Sequence, residues 1–336
     1  MIYTENAVNI LTIQTYKGIG RAWVINNVKG NESLEILVSL LNDKSKQNAL
    51  VTMNDFKTEK DNIKAQLNNF KDNCDGLIAI GDKNFPQHRG NVKASEQPIF
   101  LFYKGDIDLL SIHNANISVI GLLNPDEKIE IRERKLVEEI VKNDITIVSG
   151  LAMGCDSIAH QQAINGGKTI AILPSPLNDI LPAKNKGLAY EIVEEGGLLI
   201  TEYYKQFKSK MELSSRYKER DRLQALFSDT IILAASYAQD SANRWNINNQ
   251  KLDSGARLAM EYAKTYNIPR AVIYNKDIDI NNPMFDLNRE LIAKQQDTII
   301  LTPQSLEKII HTIKEKKNLT NYSKRQDDNN GLFSFD

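Results

Sequence analysis

The residues that could do chemistry in this chain fall into three stretches. The first, SGLAMGCDSIAH at 149–160, follows the apolar run ITIVS and leads into QQAINGGKTIAIL. Ser149 and Gly150 end a strand there, Gly154 permits close backbone approach, and Asp156 or Ser157 can cap the next helix. Amides exposed at a helix start suit an anion, so this turn can hold a nucleotide or a nucleic-acid phosphate. The second stretch, PAKNK, puts Lys184, Asn185 and Lys186 at a helix start, where cations oppose the helix dipole and hint at a nearby anion. The third runs TEYYKQFKSKMELSSRYKERDRLQALFS from 201 to 228. Its Lys205, Lys208, Lys210, Arg216, Lys218, Arg220 and Arg222 interleave with Tyr203, Tyr204, Phe207 and Tyr217. Cations that neutralise phosphates, beside rings on which bases stack, are what a single strand requires. Helical spacing puts Arg216 and Arg220 on one face and turns Arg222 away. No nucleophile, base and orienting partner are legible together, so neither His160 nor Cys155 is assigned catalysis and no catalytic residue is expected.

The elements that must position these residues read as an α/β fold. Apolar runs NISVIG, ITIVS, KTIAIL, GLLIT, TIILAA, RAVIY and DTIIL alternate with amphipathic helical stretches between residues 115 and 315. That alternation predicts a doubly wound, mostly parallel sheet, whose ligands lie past the carboxyl ends of the strands. The loop after the first of these strands, Gly121-Leu122-Leu123, is not a G-x-G-x-x-G fingerprint, and no dinucleotide or other cofactor is expected. Residues 1–45 read as a small helical module. Its turn at Gly18 and Gly20 is flanked by Lys17 and Arg21, and is either a helix-hairpin-helix that meets phosphate or a plain helical hairpin. Residues 46–114 read as a connecting extension, 115–317 as the core and 318–336 as a disordered tail. The tail ends in Leu332, Phe333 and Phe335, a tip that could dock in a partner's groove.

Composition sets outer limits. The 336 residues carry a formal net charge of −1, so any nucleic-acid site is a local patch on a neutral body. The two cysteines, Cys74 and Cys155, make neither a metal spacing nor a disulfide framework, which fits a reducing cytoplasm, and no metal is expected. No apolar run approaches membrane-spanning length, and the first residues lack the pattern of a secretory leader. The expectation is a cytoplasmic protein.

The block from Ser149 to Glu202 resembles the core of the DprA/Smf family, the DNA-processing protein A family. The family pattern S-G-L-A-x-G-I-D-x-x-A-H, G-G-x-T-I-A-V-L, Y-P-x-x-N-x-x-L and G-x-L-x-S-E is met in order by Ser149 to His160, Gly166 to Leu173, Pro182 with Asn185 and Leu188, and Gly197 to Glu202. RDRLQALFS resembles the family's R-N-R-I-I-A-G-L-S, which aligns Arg220 and Arg222 with its two arginines. The resemblance implies a Rossmann-like core and single-stranded DNA bound at the carboxyl edge of the sheet. It implies no catalytic turnover, a homodimer, and a role in loading the RecA recombinase. Lys184, Arg220 and Arg222, with backbone from Gly150 and Gly154, are the matching positions; Gly121, Ser149, Asn185 and Arg216 complete the expected site. Departures mark a divergent member. The family's first loop is G-S/T-R, where this chain has Leu123; Asp221 replaces an Asn; residues 237–253 read as an insertion; and no winged-helix pattern is expected after 317. Two alternatives stand beside a recombination role. One is a regulatory subunit, such as an antitoxin controlling a toxin partner in phage defence. The other is a nucleotide-processing enzyme on a related fold, although the P-G-G-x-G-T-x-x-E motif of nucleoside-monophosphate hydrolases is missing here.

Overall fold

A computed structural model of the chain describes residues 1–44, 49–70, 72–247, 252, 255–295 and 297–330. The chain runs β1 (Ile2–Tyr3), α1 (Glu5–Ile13), α2 (Arg21–Asn27), α3 (Leu34–Lys44), α4 (Met53–Leu67), β2 (Gly76–Ala79), β3 (Phe100–Gly105), β4 (Asn116–Ile120), α5 (Glu127–Val141) and β5 (Thr146–Ser149). It continues through α6 (Cys155–Ala163), β6 (Thr169–Ile172), α7 (Lys186–Glu194), β7 (Leu198–Thr201), α8 (Lys210–Leu226), β8 (Thr230–Leu233) and α9 (Ser241–Arg244). The last elements are α10 (Ala256–Thr265), β9 (Arg270–Val272), α11 (Lys276–Asp279), α12 (Asp286–Lys294), β10 (Thr298–Ile300) and α13 (Pro303–Asn330).

Among the described residues ten strands join one sheet in the order β1-β2-β3-β7-β6-β5-β4-β8-β9-β10, and of these β3 alone runs against its neighbours. The doubly wound, mostly parallel α/β architecture is therefore as expected. The seven strands from β4 to β10 fall on the seven apolar runs. Strands β4 to β8 are buried along their whole length, as strands covered by helices on both faces must be. Winding goes outward from β4 to β7 on one side and from β8 to β10 on the other, so the topological switch point lies between β4 and β8.

The first seventy residues do not stand apart. Ala7, Ile10 and Leu11 of α1 and Phe56 and Ile63 of α4 share one apolar cluster with Leu77, Phe102 and Leu199 of the sheet. Two strands of the segment read as a connecting extension, β2 and β3, widen that sheet. Strand β1 is a feature the sequence did not show, since its two residues pair only with Gly76 and Leu77. Local signals set the helix starts: Thr52 and Asp55 form a reciprocal capping box on α4, Asp126 caps α5 and Ser209 caps α8.

The carboxyl end differs from its compositional reading. Helix α13 passes the expected boundary at 318 and continues to Asn330. Its first turns bury Leu306, Ile309, Ile310 and Ile313 against the sheet layer. Lys317 then donates to Asp229 at 2.6 Å and to the Ile112 carbonyl at 2.8 Å. A helix nucleated this way adds one hydrogen bond per residue fixed, so polar composition does not stop it. Leu332, Phe333 and Phe335 lie outside the described residues.

Candidate nucleic-acid interface

The loops past β5, β6 and β7 meet at one edge of the sheet, and the opening turn is the most constrained of them. Leu151 takes a left-handed φ of 59°, and Gly154 one of 76°. A side chain at Gly154 would lie 2.2 Å from the Leu122 carbonyl oxygen, so glycine is required there. Asn185, 8% exposed, clamps the turn from the β6–α7 loop by donating its amide to the carbonyls of Leu151 (2.8 Å) and Ala152 (3.0 Å). Asn185 therefore positions the loop from inside rather than facing a ligand. Ser149 likewise points inward, donating to the Val119 carbonyl at 2.7 Å.

The amides at the start of α6 already serve the protein itself. Cys155 N–H donates to the Leu122 carbonyl at 2.9 Å, and Ala152 N–H donates to the Asp156 carboxylate at 3.2 Å. Burial pushes the Asp156 carboxyl above its ordinary value, opposed by the Arg220 charge and by the backbone N–H groups of Ala152 and Gly150. The anion at this helix start is thus Asp156. His160 is fully buried, and its Nδ1 meets the Thr169 hydroxyl at 2.7 Å. That hydroxyl donates to the Ile147 carbonyl, so Nδ1 carries the proton given to Thr169. Burial, reinforced by the Arg220 charge, lowers His160 to about 3. Behind this helix start the Glu133 carboxyl is buried against Cys155, and burial raises both groups well above their ordinary values.

The arginines singled out from the sequence are turned inward. Arg220 lies over Gly150, where a Cβ would come within 1.3 Å of its Nη1. Its guanidinium sits between Asp156 and Asp221, each at 3.6 Å. Arg222, 1% exposed, is ion-paired to Glu202 and lies 3.5 Å from Glu219. Arg21 reaches the same two acids, at 3.2 and 2.9 Å, and so ties α2 to the β7–α8 region. Arg216 donates to the carbonyls of Lys205 (2.8 Å) and Gln206 (3.3 Å), pairs with Glu212 at 2.7 Å, and covers the Tyr203 ring at 4.4 Å. Gly121 backs onto Cys155, whose sulfur would lie 2.6 Å from a Cβ there. Lys17 is exposed on the turn before α2.

The lysines behave in the opposite way. Lys184 and Lys186 beside the β6–α7 loop and Lys205, Lys208, Lys210 and Lys218 along the β7–α8 segment are all exposed. Among the described residues none of these six forms an ion pair; Lys205 lies over Tyr204 at 4.9 Å and Lys186 over Tyr190 at 5.9 Å. Strands β6 and β7 are neighbours, so the loops that follow them leave the same edge of the sheet. Met153, Tyr190 and Met211 are exposed as well.

The model for DNA recombination-mediator protein A matches residues 76–314. The chain belongs to that family. The DNA processing protein DprA of Streptococcus pneumoniae is 33% identical over 143 residues, which is 41% of this chain and 47% of that protein. The chain spans about half the length of the curated relatives it matches. The solved DNA processing protein A of Streptococcus pneumoniae superposes with a TM-score of 0.66 at 22% identity, over 91% of this chain and 97% of that one. That of Helicobacter pylori, solved for its single-stranded DNA binding mode, gives 0.52 at 26% identity, over 70% of this chain and 99% of that one. The family match leaves out the first 75 residues, which here complete the sheet and its core. Among the described residues no helix is long and apolar enough to cross a membrane, and no cluster of ligand side chains could hold a metal ion.

Two residues of the site were missed in the sequence. Gln224 and Gly255 wall the crevice beside Arg220. Gln224 sits among the apolar residues of RLQALF and reads as an incidental polar position. Gly255 offered one signal, the glycine of SGARLA at a helix start, and its φ is 74°.

Proposed function

We propose that this protein binds single-stranded DNA without catalytic turnover and acts in DNA processing and recombination. The observation that carries the reading is a set of six exposed lysines without ion pairs among the described residues, Lys184, Lys205 and Lys208 on the loops after β6 and β7, Lys186 and Lys210 at the starts of α7 and α8, and Lys218 within α8. Such a set gives phosphates their counter-charge at an edge where open α/β sheets place ligands. Membership of the recombination-mediator family and the resemblance to a relative solved for its single-stranded DNA binding mode support it. In this reading the arginines build the floor and the lysines meet the strand. Lys184 is the one of these lysines among the positions that the resemblance implies for DNA. Loading of a recombinase onto the bound strand, by a homodimer, is the role consistent with this surface.

The test is fluorescence anisotropy with labelled single-stranded DNA, duplex DNA and a mononucleotide at two salt concentrations. Salt-dependent, single-strand-selective binding is expected, with log K falling by about 0.7 less per decade of salt for each phosphate-contacting lysine replaced by alanine. An unchanged salt slope in Lys184→Ala, Lys205→Ala, Lys208→Ala and Lys210→Ala combined overturns the assignment.

A further inference from the structure

The segment from Tyr203 to Lys208 carries Lys205 and Lys208 and adopts neither helix nor strand. Among the described residues, no backbone group of this segment pairs with another backbone group. Four hydrogen bonds to side chains hold its main chain instead. Tyr203 N–H donates to the Thr201 hydroxyl at 3.1 Å, and Lys208 N–H donates to the Glu212 carboxylate at 2.8 Å. The other two come from Arg216, which donates to the carbonyls of Lys205 and Gln206. Arg216 is also ion-paired to Glu212, the acid that holds Lys208, and its guanidinium carbon lies 4.4 Å from the centre of the Tyr203 ring. Tyr204 is fixed separately, stacked on Phe102 of β3 at 5.7 Å. One buried side chain thus holds most of the segment from beneath.

Arg216 is 7% exposed, and both of its terminal nitrogens donate to oxygens of the protein. A planar guanidinium can hold two carbonyls and a carboxylate while it covers a ring; an ammonium on a flexible stem cannot. Without that anchor the segment would have to be ordered each time a strand arrives, and the ordering would be subtracted from the affinity. Resting on the single-stranded DNA reading above, we propose that Arg216 is a positioning residue of the DNA-binding surface. It sets the Tyr203–Lys208 segment in advance, so that Lys205 and Lys208 meet phosphates with their main chain already fixed, and it does not touch the strand itself. Charge alone places Arg216 among the DNA contacts; its partners make it the support of two of them.

The test is a double-mutant cycle read by anisotropy on single-stranded DNA at low salt. Arg216→Lys is introduced into wild type and into the Lys205→Ala, Lys208→Ala variant. The substitution keeps the charge and removes the fork. Its melting temperature is checked first, and Arg216→Gln serves if it is unstable. In wild type, binding is expected to weaken about tenfold. In the double variant, where the lysines that Arg216 positions are gone, the same substitution is expected to change affinity by less than about twofold. Equal losses in the two backgrounds overturn the proposal, because Arg216 then acts independently of those lysines, through the strand or through the fold at large. Undiminished affinity of Arg216→Lys in the wild-type background also overturns it, since a charge without the fork then suffices. Either result leaves the single-stranded DNA reading intact, whereas a wild type that binds no strand overturns both together.

Discussion

Replacing Arg222 separates a structural arginine from a DNA-contacting one. Its side chain is 1% exposed, and its partner Glu202 is 6% exposed. Removing one member of a buried ion pair costs about 3–5 kcal/mol, because the remaining charge is left in a poorly solvated place. Glu202 keeps a second partner, Arg21 at 3.2 Å, so the lower end applies. Arg222→Met, which retains much of the side-chain volume, is therefore expected to lose about 3 kcal/mol of folding stability. For a chain of this size that is a fall of about 4 °C in melting temperature. Urea unfolding and a thermal melt give the stability; anisotropy on single-stranded DNA at two salt concentrations gives the slope. Below its melting transition the folded variant should keep the wild-type salt dependence, whereas Lys208→Ala should keep the melting temperature and flatten the slope by about 0.7. The opposite pattern would refute the reasoning: Arg222→Met melting within about 1 °C of wild type while losing salt dependence as the lysine variant does.

Three further perturbations probe the floor of the site. Gly150→Ala drives a methyl into the Arg220 guanidinium and leaves Asp156 without its counter-charge, so a loss of about 3 kcal/mol is expected in urea unfolding. His160 is held neutral, its value lowered from 6.5 to about 3, so the stability it lends is full above pH 6.5 and erodes as pH falls toward 3. The loss approaches about 1.4 kcal/mol per pH unit, and the difference between wild type and His160→Gln across that range measures it. Glu133 has the opposite sign: its folded value is raised, so its contribution is full below the ordinary 4.5 and lost as pH rises. Glu133→Gln should therefore gain on wild type between about pH 5 and pH 8, and a parallel pair of stability curves would exclude the buried-carboxyl account.

Much of the fold was legible because its signals are local. Seven short apolar runs separated by amphipathic helices specify a parallel sheet. Strand β1 was not legible, since two residues become a strand only by pairing with Gly76 and Leu77, far along the chain. The length of α13 was hidden for a related reason. A polar sequence reads as unfavourable for order, but an anchor at Ile313 and Lys317 fixes the helix that carries it.

In the site, the sequence by itself determined which residues gather at the carboxyl edge. The order of strands and loops follows from the hydrophobic pattern, and the pattern brings Gly150, Lys184 and the start of α8 together. It also required glycine at 154, where the turn enters a left-handed conformation. Only the tertiary structure decided which cations face solvent. Arg216, Arg220 and Arg222 and the lysines beside them are alike in one-dimensional charge. They part because Arg220 and Arg222 lie in the half of α8 that packs into the layer against α10 and meet Asp156 and Glu202 from other segments, while Arg216 folds back onto the carbonyls of Lys205 and Gln206. A planar guanidinium with five donors can be satisfied inside a protein, whereas a strongly hydrated ammonium stays in water unless paired. That difference in solvation makes arginines the floor of this site and lysines its rim.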